Sequence, residues 1–192
     1  MRFTVIALAL LIAACSSEQP ATTTTASAEQ QPATPTPPSA QQARDLIADS
    51  STFSEFEFTN AAVSMPVSGV AMNDATRDLA KQLAAAGWIT MENTGDVALN
   101  DKSRSDKRFL LRENGLLDVV PLAKKEMGNV TAVRANPDGT ATADFTWKWV
   151  PNEVGTAFKS GVVHDRFAAT QDAAASMMWN GSEWVVLSIA AR

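Results

Sequence analysis

Thr140-Ala141-Thr142-Ala143-Asp144-Phe145-Thr146-Trp147-Lys148-Trp149-Val150 alternates without a break. Ala141, Ala143, Phe145, Trp147 and Trp149 fall on one face of an extended chain, with Thr142, Asp144, Thr146 and Lys148 on the other. That is the period-2 code of an antiparallel strand with one face in a core and one in water. Asn136-Pro137-Asp138-Gly139, just before it, suits a type I turn followed by a glycine bulge. Asn114-Gly115 and Asn180-Gly181 are two further hairpin signals, since Asn and Gly tolerate the positive φ of tight turns. The implied strand pairs are 107–113 with 116–121, 129–135 with 140–150, and 172–179 with 182–190. The last four strands then form one antiparallel meander.

Ahead of the first hairpin the code is helical. Ala43, Leu46 and Ile47 have helical spacing, giving a short helix near 41–49. Phe53, Phe56 and Phe58 fit either a helical turn or an alternating strand, and Met65-Pro66 ends whatever precedes it. The strongest helix spans 74–86. Asn73 or Asp74 caps it, Ala75, Leu79, Leu83 and Ala86 form an apolar stripe, and Gly87 suits the residue after its end. Arg77, Asp78, Lys81 and Gln82 lie on its other, solvated face. The expected fold is therefore α+β: short N-terminal helices and a hairpin, then a four-stranded antiparallel β meander. The capped helix, Trp88-Ile89 and a charged hairpin across 95–120 resemble a winged-helix tail. The helical start with its meander is similar to cystatin-like and NTF2-like α+β folds. Such likenesses carry no active site with them.

The N-terminus carries an address. Arg2 supplies a positive charge, and Phe3 to Ala14 is apolar apart from Thr4. Twelve residues span about 18 Å as a helix against a hydrocarbon core of about 30 Å, which is too short to cross. A charged start, a short apolar run and small residues before a cut site make a secretory signal peptide. Ile12-Ala13-Ala14-Cys15 closely resembles the lipobox of bacterial lipoproteins. The resemblance implies that Cys15 is lipidated and becomes the first residue of the mature chain, anchored through its acyl groups to a membrane. Ser16 stands where the family's inner-membrane retention signal is Asp, so the implied site is the outer membrane, facing the periplasm.

Residues 16–43 hold six Thr, six Ala, five Pro, five Gln, four Ser and two Glu, with no large apolar side chain. Such a stretch cannot bury enough surface to offset its ordering entropy, and a disordered tether is expected over 15–43, with 44–192 as a single domain. With 21 acids against 16 bases, the chain has a net charge of −5. It lacks the basic balance of a nucleic-acid binder, so no nucleic-acid partner is expected. One His and one Cys exclude most metal sites and any internal disulfide, and no metal or cofactor is expected.

Four features carry candidate chemistry. His164-Asp165-Arg166 is the sole place for an imidazole base, though neighbours on a strand point to opposite faces and Ser160 or Ser176 lacks a nucleophile elbow. A carboxylate pair for glycoside cleavage is always available among so many acids, which singles out none. Lys102, Arg104, Lys107, Arg108 and Arg112, interleaved with Asp101 and Asp106, form the densest charge run, a partner surface or a solvated loop. Trp147 and Trp149 belong to the core face of their strand. Trp179 and Trp184 flank the Asn180-Gly181 turn as a partly exposed pair able to anchor a partner. The expected function is a non-enzymatic binding module of the cell envelope, its partner an envelope protein or peptidoglycan. The alternative is an envelope hydrolase using His164 or a carboxylate pair.

Overall fold

A computed structural model describes residues 35–192; Cys15 and the rest of the lipobox lie outside the described residues. In chain order the elements are α1 (Ala40–Ala48), α2 (Ser51–Glu55), β1 (Val63–Pro66), α3 (Asp74–Ala85), β2 (Ile89–Met91), β3 (Val97–Leu99) and α4 (Asp101–Arg104). There follow β4 (Phe109–Leu111), β5 (Leu116–Val119), β6 (Ala123–Ala135), β7 (Thr140–Pro151), α5 (Gly161–Ala168), β8 (Thr170–Trp179) and β9 (Trp184–Ala191). The fold is α+β, built around a four-stranded antiparallel sheet in the order β6-β7-β8-β9.

The alternation in β7 is borne out. Ala141, Ala143, Phe145, Trp147 and Trp149 are all buried, and the apolar face continues on β8 through Ala173, Ala175 and Met177. Helices cover that face: α1 lies against β6 and β9, α2 against β9 and α5 against β7. Phe53 of α2 meets Phe145 edge-on at 6.0 Å, Phe56 meets Trp147 at 5.5 Å, and Trp149 meets Phe167 of α5 at 6.3 Å. The edge-to-face geometry of the first two contacts adds to simple area burial.

β6 starts at Ala123, six residues before the expected 129. Gly128 sits at a bulge within it, with register shifts on either side of Val130. A Cβ there would lie 2.4 Å from the Thr146 hydroxyl, so only glycine allows the strands this close. The front half contains the expected hairpin of 107–113 with 116–121, as β4 paired with β5, but not one hairpin across all of 95–120. It holds a three-stranded sheet, β1-β5-β4, and a separate β2-β3 pair, with α4 between them. Pro66 is tolerated because β1 is an edge strand.

α3 and its caps match expectation. Asn73 accepts from the Thr76 N–H, Gly87 takes φ 75°, and Trp88 donates to the Leu83 carbonyl. Its buried stripe is rotated, however. Ala80 and Leu83 are buried whereas Ala75 and Ala86 are exposed, and Arg77 bends back to the Gly69 and Met72 carbonyls. α5 was unforeseen, because Val162-Val163 reads as strand. The helix begins at Gly161 with φ 80°, and Val163 and Phe167, one turn apart, are its buried residues.

Each of the three turns has positive φ at its glycine alone, so none is the type I′ turn that needs two such residues. Arg112 N–H bonds to the Leu116 carbonyl and Asn136 N–H to the Thr140 carbonyl, with Gly115 and Gly139 as the bulged residues. In the last turn Asn180 N–H bonds to the Glu183 carbonyl, placing Gly181-Ser182 rather than Asn180-Gly181 at the centre. Gly181 has φ 103° and open space where a Cβ would stand. Gly181→Val should therefore cost roughly 1–3 kcal/mol from backbone strain alone, seen as a melting temperature lower by several degrees with an unchanged circular dichroism spectrum. An unchanged melting temperature would show that this turn adopts another conformation.

Candidate functional site

Proline holds its own φ near −65° and pushes the residue before it into an extended conformation. Pro35-Thr36-Pro37-Pro38 is therefore locally extended before any tertiary contact forms. Ser39, with φ −63° and ψ 162°, continues that course and caps α1 in a box with Gln42. The expected tether is thus shortened. The helix starts at Ala40, Pro38 is buried, and the folded part begins several residues before 44. What stops this segment from being loose is an indole: Trp184 donates its Nε1–H to the Thr36 carbonyl at 3.1 Å, across 148 residues of sequence.

Trp184 and Trp179 are direct cross-strand partners at the start of β9 and the end of β8. Their rings meet at 6.0 Å and 62°, with Trp184 buried and Trp179 half-buried. The pair expected from the turn therefore exists, and it closes one end of a cleft of about 900 Å³. The outer side of α1, the α1–α2 corner, the Pro37-Pro38 run and the first residues of β9 form the walls. Val185 and Val186 both line it. Neighbours on a strand point to opposite faces, so the cleft runs along the edge of β9. Asp45, Asp49 and Glu183 line it too, all three exposed, and no Lys, Arg or His does.

None of the expected basic residues reaches this cleft, and their run is divided among local partners. Lys102 stands over the Trp88 ring at 3.4 Å, and Arg104 is 3.8 Å from Asp101. Arg112 pairs with Asp118 at 2.7 Å. Arg108 is half-buried between Asp106 and Glu153, the latter at 2.6 Å. That guanidinium holds the Asp106 carboxyl below the usual carboxylate range and is itself held more firmly charged. Lys107 is exposed. The run is a set of structural pairs around α4 and β4 more than a field of free charge.

His164 lies on α5, not on a strand, and its Nδ1 is 3.1 Å from the carboxylate of its neighbour Asp165. Both side chains are exposed, and the contact stays on the helix surface. Ser160 precedes α5 and Ser176 sits in β8, so neither is poised over the imidazole by a strained turn. Among the described residues no group of three His, Cys, Asp or Glu side chains is arranged to hold a metal.

Lys125 is the polar group the sequence did not single out. Its ammonium donates to the Ser54 carbonyl at 2.9 Å and to the Phe56 carbonyl, closing the C-terminal end of α2. Phe53, Phe56 and Trp149 stand 5.3–5.7 Å away. Burial lowers its pKa to about 8, against a smaller opposing effect of Glu57. The unfolded chain keeps this proton to about pH 10.5. Between about pH 8 and 10.5 the unfolded state therefore binds more protons, and stability rises with pH. Wild type should gain stability relative to Lys125→Met across that window, read from urea midpoints. Parallel profiles would mean that the ammonium is solvated.

No protein-family model, curated protein or solved structure matches the chain, so the chemistry of the cleft is read from its own residues.

Proposed function

We propose that this chain is a lipid-anchored, non-enzymatic interaction module of the bacterial envelope, held at the outer membrane through Cys15 and facing the periplasm. Its partner, an envelope protein, is bound at the Trp179–Trp184 cleft. The observation that carries this is the indole N–H of Trp184 on the Thr36 carbonyl beside two prolines. Aromatic-lined grooves take extended proline-rich chains in this manner, with ring faces against pyrrolidines and a side-chain donor on a backbone carbonyl. A peptidoglycan partner draws less support, because the group that meets the Trp184 indole is a peptide carbonyl.

A photo-crosslinking residue at Val186 of the full-length protein, activated in living cells, tests the proposal. One discrete adduct of fixed mass is expected there. It should disappear in Trp179→Ala and persist in His164→Gln. Adducts from a crosslinker at Lys107 but none from Val186 would move the partner surface to the basic lobe. Loss of the Val186 adduct in His164→Gln would favour the hydrolase alternative.

A further inference from the structure

We propose that the edge of β9 pairs with β9 of a second copy of this chain, antiparallel and across a two-fold axis. This copy is the envelope protein that the cleft receives, so the inference rests on the cleft being the partner surface and names the partner. β9 is the last strand of the β6-β7-β8-β9 sheet, and among the described residues no strand pairs with its outer edge. An unpaired edge is a template for another strand, and proteins that stay apart guard it with charges, proline, bulges or cover. The opposite edge is guarded in this way. β6 carries Lys124, Lys125, Glu126 and Arg134, is bulged near Gly128, and has its Gly128 carbonyl taken by Arg44 at 3.2 Å. β9 has no charge, no proline and no glycine from Trp184 to Ala191, and Leu187, Ala190 and Ala191 are exposed. Its one irregularity is an extra residue, Leu187, between Val186 opposite Met177 and Ser188 opposite Ser176. Open space lies along this edge, since Val185 and Val186, on opposite faces of the strand, both line the cleft.

The ends of the strand choose the occupant. Glu183 precedes β9 and Arg192 follows it, both exposed, so an antiparallel copy sets the Glu183 of each chain opposite the Arg192 of the other. The charge pair therefore forms twice, once on each side of the axis. Arg192 does not have an acid to itself, because Asp144 is shared between Arg134 at 2.5 Å and Arg192 at 2.8 Å. The same register matches the faces. Val186 and Ile189 lie on the core face, opposite Met177 and Ala175, and they meet each other across the axis. Val185 and Ala190, opposite Met178 and Ala174, do the same on the outer face, and Leu187 and Ser188 fall at the axis. A slip of one residue would set core positions against outer ones and separate the charges. Copies anchored in one membrane also meet at a high effective concentration.

The test places the Val186 crosslinker in cells that express two copies of the full-length protein, each with a different epitope tag. The expected adduct has the mass of two chains and carries both tags. Register is read by cysteine pairing. Val185→Cys in one tagged copy and Ala190→Cys in the other should join in a disulfide on oxidation, whereas Val185→Cys in both copies should not. Leu187→Lys puts a charge on an exposed position of the edge, and Glu183→Arg sets like charges opposite each other at both ends. Each should lower the two-tag adduct about tenfold while leaving the circular dichroism spectrum unchanged. A Val186 adduct with one tag only, at the mass of one chain or joined to a different protein, would overturn the proposal. So would a two-tag adduct undiminished in both Leu187→Lys and Glu183→Arg. If the adduct holds a different protein, the cleft remains the partner surface and only the identity of the partner is wrong. If Val186 gives no adduct at all, the cleft reading fails and this proposal fails with it.

Discussion

Replacing Gly155 by alanine is expected to destabilise the domain by about 3–4 kcal/mol, at the upper end of what overpacking costs. A Cβ at that position would stand 2.1 Å from the Leu122 carbonyl oxygen and 3.1 Å from its carbon, both backbone atoms that no rotamer change can move. The site is also a junction. Asn152 N–H donates to the same Leu122 carbonyl at 2.9 Å, and the Asn152 side chain donates to the Pro121 carbonyl at 2.7 Å. Asn152 Oδ1 in turn accepts from the N–H groups of Val154 and Gly155. Leu122 N–H completes the latch on the Ala61 carbonyl. The loop after β7 is thereby tied to the segment that joins the small front sheet to the main one.

A loss of that size should lower the melting temperature of a chain this long by roughly 10 °C. Gly139→Ala serves as the control. Gly139 has φ 83° but nothing within 4 Å of a Cβ, so it carries conformational strain without collision. If Gly155→Ala is no costlier than Gly139→Ala in urea unfolding, the latch yields more easily than its geometry implies. A disturbed latch should also reach Arg108, because Glu153 sits in this loop and holds that guanidinium at 2.6 Å.

That last pair shows where sequence reasoning stops. Within 101–112 the spacing of cations and the nearby Asp106 are plain, but the second acid that restrains Arg108, Glu153, lies 45 residues downstream. Nothing local announces it. The same holds for Trp184. Its position beside a turn is legible, and so is its pairing with Trp179, because hairpin partners are close in sequence. Its bond to Thr36 is invisible from either end, since a low-complexity segment gives no sign that an indole will order it. The sheet is the most legible part, because period-2 burial writes itself directly into Ala141 to Trp149. α5 is the least legible. Eight residues with two adjacent valines carry a strand-like composition, and only packing of Val163 and Phe167 against the core selects the helix. Asp45, Asp49 and Glu183 were hidden for a different reason. Each is an ordinary surface acid, and only the fold places them along one cleft.

Cys15→Ala should abolish incorporation of labelled palmitate and leave the signal peptide uncleaved by the lipoprotein peptidase, because the lipobox resemblance implies that this thiol accepts the diacylglyceryl group as a thioether, and the chain contains no other cysteine. The effect is all-or-none at the level of the modification. It is nearly so for anchoring, since each buried methylene contributes about 0.8 kcal/mol and two or more chains hold where one merely visits. The cleft should survive the change, because every residue that builds it lies between Thr36 and Val186. Cys15→Ala and Trp184→Phe should therefore fail in opposite ways. On the proposed reading, the first keeps the cleft intact but loses the Val186 adduct in cells, because tethering raises the effective concentration of a partner in the same membrane. The second leaves Cys15 and its modification untouched but loses the adduct. Palmitate label in Cys15→Ala equal to wild type would refute the anchor. A Val186 adduct of undiminished yield in an unlabelled Cys15→Ala protein would show that the partner is soluble, and that the anchor serves location without serving capture.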